Sequence, residues 1–202
     1  MNNDLATHSD VRESVACWVA AFAQDPITEF LLRPGPGYPE RLRQFFSLLM
    51  QARIALNMPV IVARGATGID GAAMGYATEP PAWPADLAEE WDRFERSVPG
   101  LPDRLAVYDE LSLKAKPQTP HYYLGVIGVS PNLHGQGIGK QLLTSFCDLS
   151  ARDPTSCGVY LETAKASNIP FYERAGFVET GRGSLGQATL WCMYRPHGDG
   201  DT

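Results

Sequence analysis

Apolar positions along the chain fall into two periods, and the change between them marks its elements. Tyr122–Val129 is a β-branched and aromatic run that reads as a buried strand, stopped by Ser130 and Pro131. A glycine-rich turn, His134–Lys140, follows. Ile138, Leu142, Leu143, Phe146 and Leu149 then recur at helical spacing. Upstream, Val11, Val15, Trp18, Val19 and Phe22 share one helix face, with Asp10 and Glu13 as a capping pair at its start and Asp25-Pro26 at its end. A loop leads through 33–39 into a second amphipathic helix carrying Leu42, Phe45, Phe46, Leu49 and Met50.

Val60–Arg64 and Ala72–Thr78 read as strands joined by a glycine-bearing hairpin. Prolines over 79–84 break that pattern. Leu87, Trp91, Phe94 and Val98, then Leu105, Tyr108 and Leu111, predict two helices over 79–119. This is a long helical insertion between strands in which substrate selectivity is expected, with Trp91 and Phe94 anchoring it on the core. Gly158–Thr163 is the next parallel strand, reached by a right-handed crossover through the helix at 137–151. Ala166–Ala175 is a short helix stopped by Gly176, and Phe177–Thr180 and Ala188–Tyr194 are two last antiparallel strands around a loop at 181–186. The first residues are too short and polar to predict a strand, and 197–202 reads as a disordered tail. The pattern is that of an α/β (α+β) chain, one domain over 1–196, with a mixed sheet of about six to seven strands flanked by helices.

The formal net charge of −6 argues against nucleic acid or an acidic membrane surface as partner. Cys17, Cys147, Cys157 and Cys192 have no paired spacing, and the histidines have no metal-ligand spacing, so a reduced, metal-free cytoplasmic protein is expected. The longest apolar run is too short and interrupted to span a bilayer.

Three alternate glycines at a helix start leave backbone N–H groups bare and let an anion approach, so the turn predicts a phosphate site. Neither common phosphate fingerprint fits. A P-loop would need one more residue between Gly135 and Gly139, and Gln141 lacks the required hydroxyl. A dinucleotide fingerprint would need glycine where Lys140 stands.

The segment resembles motif A of the GNAT-type N-acetyltransferases, whose pattern is Arg or Gln, two residues, Gly, one residue, then Gly or Ala. Gly137 and Gly139 match, and His134 replaces the usual Arg or Gln. Asn168–Phe177, a helix with Asn and Tyr ending in Gly-Phe, resembles the family's second hallmark, and the similarity is strongest from about 121 to 196. The resemblance implies the GNAT acyl-CoA fold, with the sheet splayed between its two central parallel strands and acetyl-CoA as acyl donor. Ile127, Gly128 and Val129 would then meet the pantetheine arm through their backbone. Gly135, Gln136, Gly137, Ile138, Gly139 and Lys140 would hold the pyrophosphate, with His134 either adding a donor or facing water. Thr163, Phe171 and Tyr172 would lie beside the cofactor. Asn168 would either touch it or cap its own helix.

Acetyl transfer to an amine requires a deprotonated nucleophile, a polarised thioester carbonyl and a proton for the departing thiolate. The family's acid stands at Tyr172. For the base, strand alternation puts His121 and Tyr123 on one face, which makes His121 the first choice. Glu162, Asp109, Glu110 or water are the alternatives. The expected activity is acetylation of a small-molecule primary amine by a monomer or homodimer. Transfer of another acyl group, a protein amine as acceptor, or CoA sensing without catalysis stand beside it.

Overall fold

The computed structural model describes residues 3–198. In chain order it contains β1 (Asn3–Leu5), α1 (Val11–Ala21), α2 (Pro26–Leu32), α3 (Tyr38–Ala55), β2 (Val60–Arg64), β3 (Ile69–Tyr76), α4 (Ala85–Ser97), α5 (Leu101–Ala115), β4 (Tyr122–Val129), α6 (Ile138–Arg152), β5 (Gly158–Thr163), α7 (Ile169–Glu173), β6 (Val178–Leu185) and β7 (Ala188–Pro196). The strands form one seven-stranded mixed sheet, ordered β1-β2-β3-β4-β5-β7-β6. Only β4 and β5 are parallel neighbours, joined through α6. One core packs α1 and α3 on the sheet, with Trp18 fully buried and its Nε1 donating to the Ala72 carbonyl at 3.0 Å. A second core packs α6 on the opposite face through Ile138, Leu142, Leu143 and Phe146.

The centre of the sheet opens as the resemblance implied. Pairing of β4 with β5 ends at Leu124–Leu161, while β4 stays paired with β3 as far as Val129–Gly71. Beyond Leu124, the edge of β4 that would face β5 is therefore free. Opposite Met74 and Gly75, β4 places Val126 and Leu124, so Gly125 is an extra residue in a β-bulge. Gly128 allows α1 to approach, because a Cβ there would lie 2.8 Å from Trp18 and 3.0 Å from Phe22.

Five sequence expectations are corrected. A short β1 does form, antiparallel to β2. Asp10 does not cap α1 with its side chain: it accepts from the Thr7 backbone at 2.8 Å and pairs with Arg64 at 2.9 Å, and the Arg64 guanidinium lowers its pKa. Asp25-Pro26 starts a helix as well as following one, since Asp25 Oδ1 accepts from Ile27 and Thr28 N–H at 3.0 and 3.2 Å and Pro26 occupies the first turn of α2. The 181–186 stretch is mostly strand. Its glycines serve close approach rather than looping, because a Cβ at Gly181 would meet Ala115 and one at Gly183 would overlap Leu111, both on α5. His197 is held at the end of β7, its N–H donating to the Cys157 carbonyl at 2.9 Å and its Nε2 lying 3.0 Å from Ser150 Oγ. The rest of the expected tail, from residue 199, lies outside the described residues.

Gly183→Val is accordingly expected to push α5 off β6 and to destabilise the fold by roughly 1–3 kcal/mol. A thermal melt of the variant beside wild type would show it as a lower Tm.

Candidate active site

Where β4 and β5 part, a cavity of about 520 Å³ opens between the free edge of β4, the ends of β5 and α7, helices α1 to α3 and the 79–119 insertion. A second hollow, of about 790 Å³, runs along the glycine turn and the start of α6. His134 lines both, so the two lie on either side of its residue.

In the second hollow, Gly135 and Gly137 adopt left-handed φ angles of 81° and 82°, which glycine accepts and other residues resist. A Cβ at either would meet nothing within 4 Å, so their space is open on the outer side. Gly137 caps α6 with no side-chain hydrogen bond, and no acidic residue sits in the helix's first turn. The N–H groups of Ile138, Gly139 and Lys140 thus begin a helix of 15 residues without a side-chain acceptor, in the field of its positive end. Lys140, Arg174 and Arg195 add positive charge around the hollow, against one carboxylate, Asp148. This donor set fits a pyrophosphate. His134 turns its Nε2 to within 3.2 Å of the Val129 carbonyl, and Gln136 is exposed.

Within the main cavity the structure gathers Ile127, Glu162, Thr163, Asn168 and Tyr172. Asn168 does not cap α7; its Nδ2 donates to Thr163 Oγ1 at 3.3 Å, tying the end of β5 to the helix. Phe171 faces the second hollow and meets the ring of Tyr172 edge-on, with centroids 5.1 Å apart. Tyr172 is buried between Phe171 and Phe177, and burial, reinforced by the charge of Asp25, raises its pKa well above the ordinary phenol value.

Glu162 lies at the centre of a hydrogen-bonded cluster that no sequence motif announced. Tyr108 Oη donates to its Oε2 at 3.1 Å, Ser112 donates to Oε1, and Tyr123 Oη lies 3.1 Å from Tyr108 Oη. Burial raises the Glu162 pKa, and the surrounding hydroxyl donors pull the other way. Tyr108 and Tyr123 are driven well above the ordinary phenol range by burial and by the Glu162 charge, so both stay protonated. Two of these hydroxyls, Tyr108 and Ser112, come from α5, inside the insertion.

His121 is elsewhere. It lines a neighbouring depression with Tyr76, Lys116 and Tyr160, which shares Tyr108, Asp109 and Tyr123 with the main cavity, and it does not itself line that cavity. Its Nδ1 lies 2.6 Å from the Thr119 carbonyl, its ring meets Tyr160 edge-on, and burial lowers its pKa. Asp109 lines the main cavity, whereas Glu110 is exposed and paired with Lys114 at 2.6 Å. The remaining wall is aromatic and apolar: Phe45 on α3, Trp91 on α4 and Trp83 ahead of it, with Trp91 5.8 Å from Phe45 and 5.5 Å from Trp83.

Residues 106–179 match the acetyltransferase (GNAT) domain family. Among solved structures, the chain is similar to a protein from Corynebacterium glutamicum described as histone acetyltransferase HPA2 and related acetyltransferase. That likeness has 26% identity and a TM-score of 0.73, covering 97% of this chain and 96% of that one. Arylalkylamine N-acetyltransferase 2 from Aedes aegypti shares the fold at 14% identity and a TM-score of 0.71, over 96% and 98% of the two chains. The ribosomal-protein-S18-alanine N-acetyltransferase from Escherichia coli does so at 16% and 0.56, over 96% and 92%. The domain match over 106–179 and the 26%-identical neighbour support the GNAT acetyltransferase superfamily and acetyl transfer, and the other two share its fold.

Proposed function

We propose that this GNAT-type chain acetylates a primary amine of a small molecule, using acetyl-CoA, by direct attack within a ternary complex. The carrying observation is the adjacency of the two hollows. An uncapped glycine helix start and a gap in the sheet lined by Tyr172 and Glu162 both border on His134.

Lys140 and the N–H groups of the turn at 135–140 hold the pyrophosphate, and the free edge of β4 at 127–129 offers amide partners to the pantetheine arm. Thr163, Asn168 and Phe171 line its course. Acetyl-CoA, when bound, supplies an activated acetyl thioester. At the bulge around Gly125, strand N–H groups released from β5 are free to polarise a carbonyl. Tyr172 keeps its proton at Oη because burial disfavours the phenolate, and it donates that proton to a leaving sulfur. Glu162 takes a proton from the acceptor's ammonium, freeing the neutral amine whose lone pair attacks the thioester carbonyl as the C–S bond breaks. This reading assigns the base to Glu162 rather than His121, because Glu162 lines the cavity and His121 does not.

The acceptor's chemistry follows from the wall. Phe45, Trp83 and Trp91 suit an apolar or aromatic body, and Asp109 and Glu162 favour a cationic amine. Gly128–Pro131, Leu161–Thr163, Asn168, Pro170–Arg174 and Trp191–Met193 resemble the corresponding stretches of puromycin N-acetyltransferase, which adds aminonucleoside amines to that class.

Calorimetric titration with acetyl-CoA, CoA and NADPH tests the cofactor directly, followed by an acceptor screen for CoA release. Binding of the CoA species alone is expected. Gly137→Val, which places a side chain at a φ of 82°, is expected to weaken acetyl-CoA by about tenfold or more. Unchanged affinity in that variant would remove the turn from the cofactor site.

A further inference from the structure

Among the charged side chains on the cavity wall, Glu95, Lys165 and Arg53 have no part in the proposed reaction. Glu95 accepts from Trp91 Nε1 at 2.8 Å, Lys165 lies 3.9 Å from Asp25, and Arg53 has no such partner. It projects from α3, is 3% exposed, and lines the cavity together with Tyr123, Gly125 and Glu162. A guanidinium carries five N–H donors. Among the described residues one of them is satisfied, by Nη1 donating to the Leu49 carbonyl at 2.9 Å, and Nε has no partner at all. No carboxylate of the described residues pairs with it: the ion pairs of the fold lie on other arginines and lysines.

Its position is nevertheless fixed. The guanidinium stacks over the Tyr76 ring, 4.2 Å from the centroid, and Tyr76 Oη accepts from Trp83 Nε1 at 2.8 Å. Stacking holds the plane of the group, and among the described residues Nη2 makes no hydrogen bond, which leaves it to donate to a carboxylate. A buried cation with unused donors is unfavourable without an anion. The guanidinium also sits beside the bulge, since a Cβ on Gly125 would lie 3.6 Å from Arg53 Nη2. An anion bound there is close to the centre where the amine reacts.

We infer that Arg53 receives a carboxylate carried by the acceptor close to its reactive amine, so that the substrates are α-amino carboxylates with an apolar or aromatic side chain. This rests on the acetyltransferase reading for the amine, while the carboxylate site stands on Arg53 itself. The acidic groups of the cavity and the lone guanidinium together match a zwitterion, with its side chain against Phe45, Trp83 and Trp91.

The test is calorimetry on the CoA-saturated protein with phenylalanine, phenylalanine amide, phenethylamine and 3-phenylpropanoate. Wild type is expected to bind phenylalanine about tenfold or more tighter than the amide and phenethylamine. 3-Phenylpropanoate is expected to bind as well. Arg53→Met, with Arg53→Lys beside it, is expected to erase the carboxylate preference while CoA affinity stays. No preference in wild type, or a preference that survives Arg53→Met, overturns the inference. Lys165→Met, which removes the other cation on the wall, is expected to leave the preference in place, and loss of the preference there instead would move the site to Lys165 and overturn the inference. Because 3-phenylpropanoate has no amine, its binding reports on Arg53 whether or not any acetyl group is transferred. Bound carboxylates with no turnover would instead count against the enzyme reading.

Discussion

Tyr172→Phe is expected to lower turnover by about 10²–10⁴-fold, the range that a positioned proton donor supplies. The substitution removes one oxygen and keeps the ring that packs on Phe171 and Phe177 at centroid distances of 5.1 and 5.8 Å. Affinity for acetyl-CoA and the melting temperature are therefore expected to stay near wild type, which separates lost chemistry from lost structure. Burial, with the nearby Asp25 charge, raises the phenol's pKa, so its proton is present throughout neutral and mildly alkaline pH. The wild-type rate should show no decline from this group up to about pH 10, the ordinary phenol value. Steady-state kinetics with any accepted amine measures both features, and undiminished kcat in the variant would take the acid role away from Tyr172.

Glu162→Gln carries the second large effect, a fall in kcat/KM of about 10²–10³-fold at neutral pH. A base works deprotonated, so the wild-type rate rises as pH passes upward through the Glu162 pKa. Burial raises that pKa, which moves the acidic limb above the ordinary glutamate value of about 4.3. In the glutamine variant that limb should disappear, leaving only the ionisation of the free amine. His121→Ala is the matched control, expected to keep both rate and limb because His121 faces a different depression. If the histidine variant loses the limb and the glutamine variant keeps it, the two assignments exchange.

Most of the sheet was legible in the sequence because its central strands are long and apolar, and the glycine turn has the left-handed, uncapped geometry that the expected anion site would need. The errors share a cause: a residue's local signal was answered by a distant neighbour. Gly181 and Gly183 look like turn residues until α5 lies against them. Asp25-Pro26 reads equally as a stop and a start, and only the N–H groups of Ile27 and Thr28 decide. Asp10 answers Arg64 across 54 residues rather than its own helix. Strand alternation recommended His121, but it says nothing of the depth at which β4 leaves β5, and His121 lies before the parting. Tyr108, Ser112 and Tyr123 carry no motif, and their convergence on Glu162 exists only after the insertion folds onto the sheet.

That convergence sets a limit on how the scaffold can be re-engineered. A segment between β3 and β4 looks like a module to exchange when a new acceptor is wanted, leaving the sheet to do the chemistry. Here the hydroxyls of Tyr108 and Ser112 on α5 help set the acidity of a carboxylate on β5. A chimera that imports another segment would alter the pH at which the base becomes competent along with the shape of the pocket. Grafts for new specificity would have to carry two hydroxyl donors at those positions, or be run at a different pH.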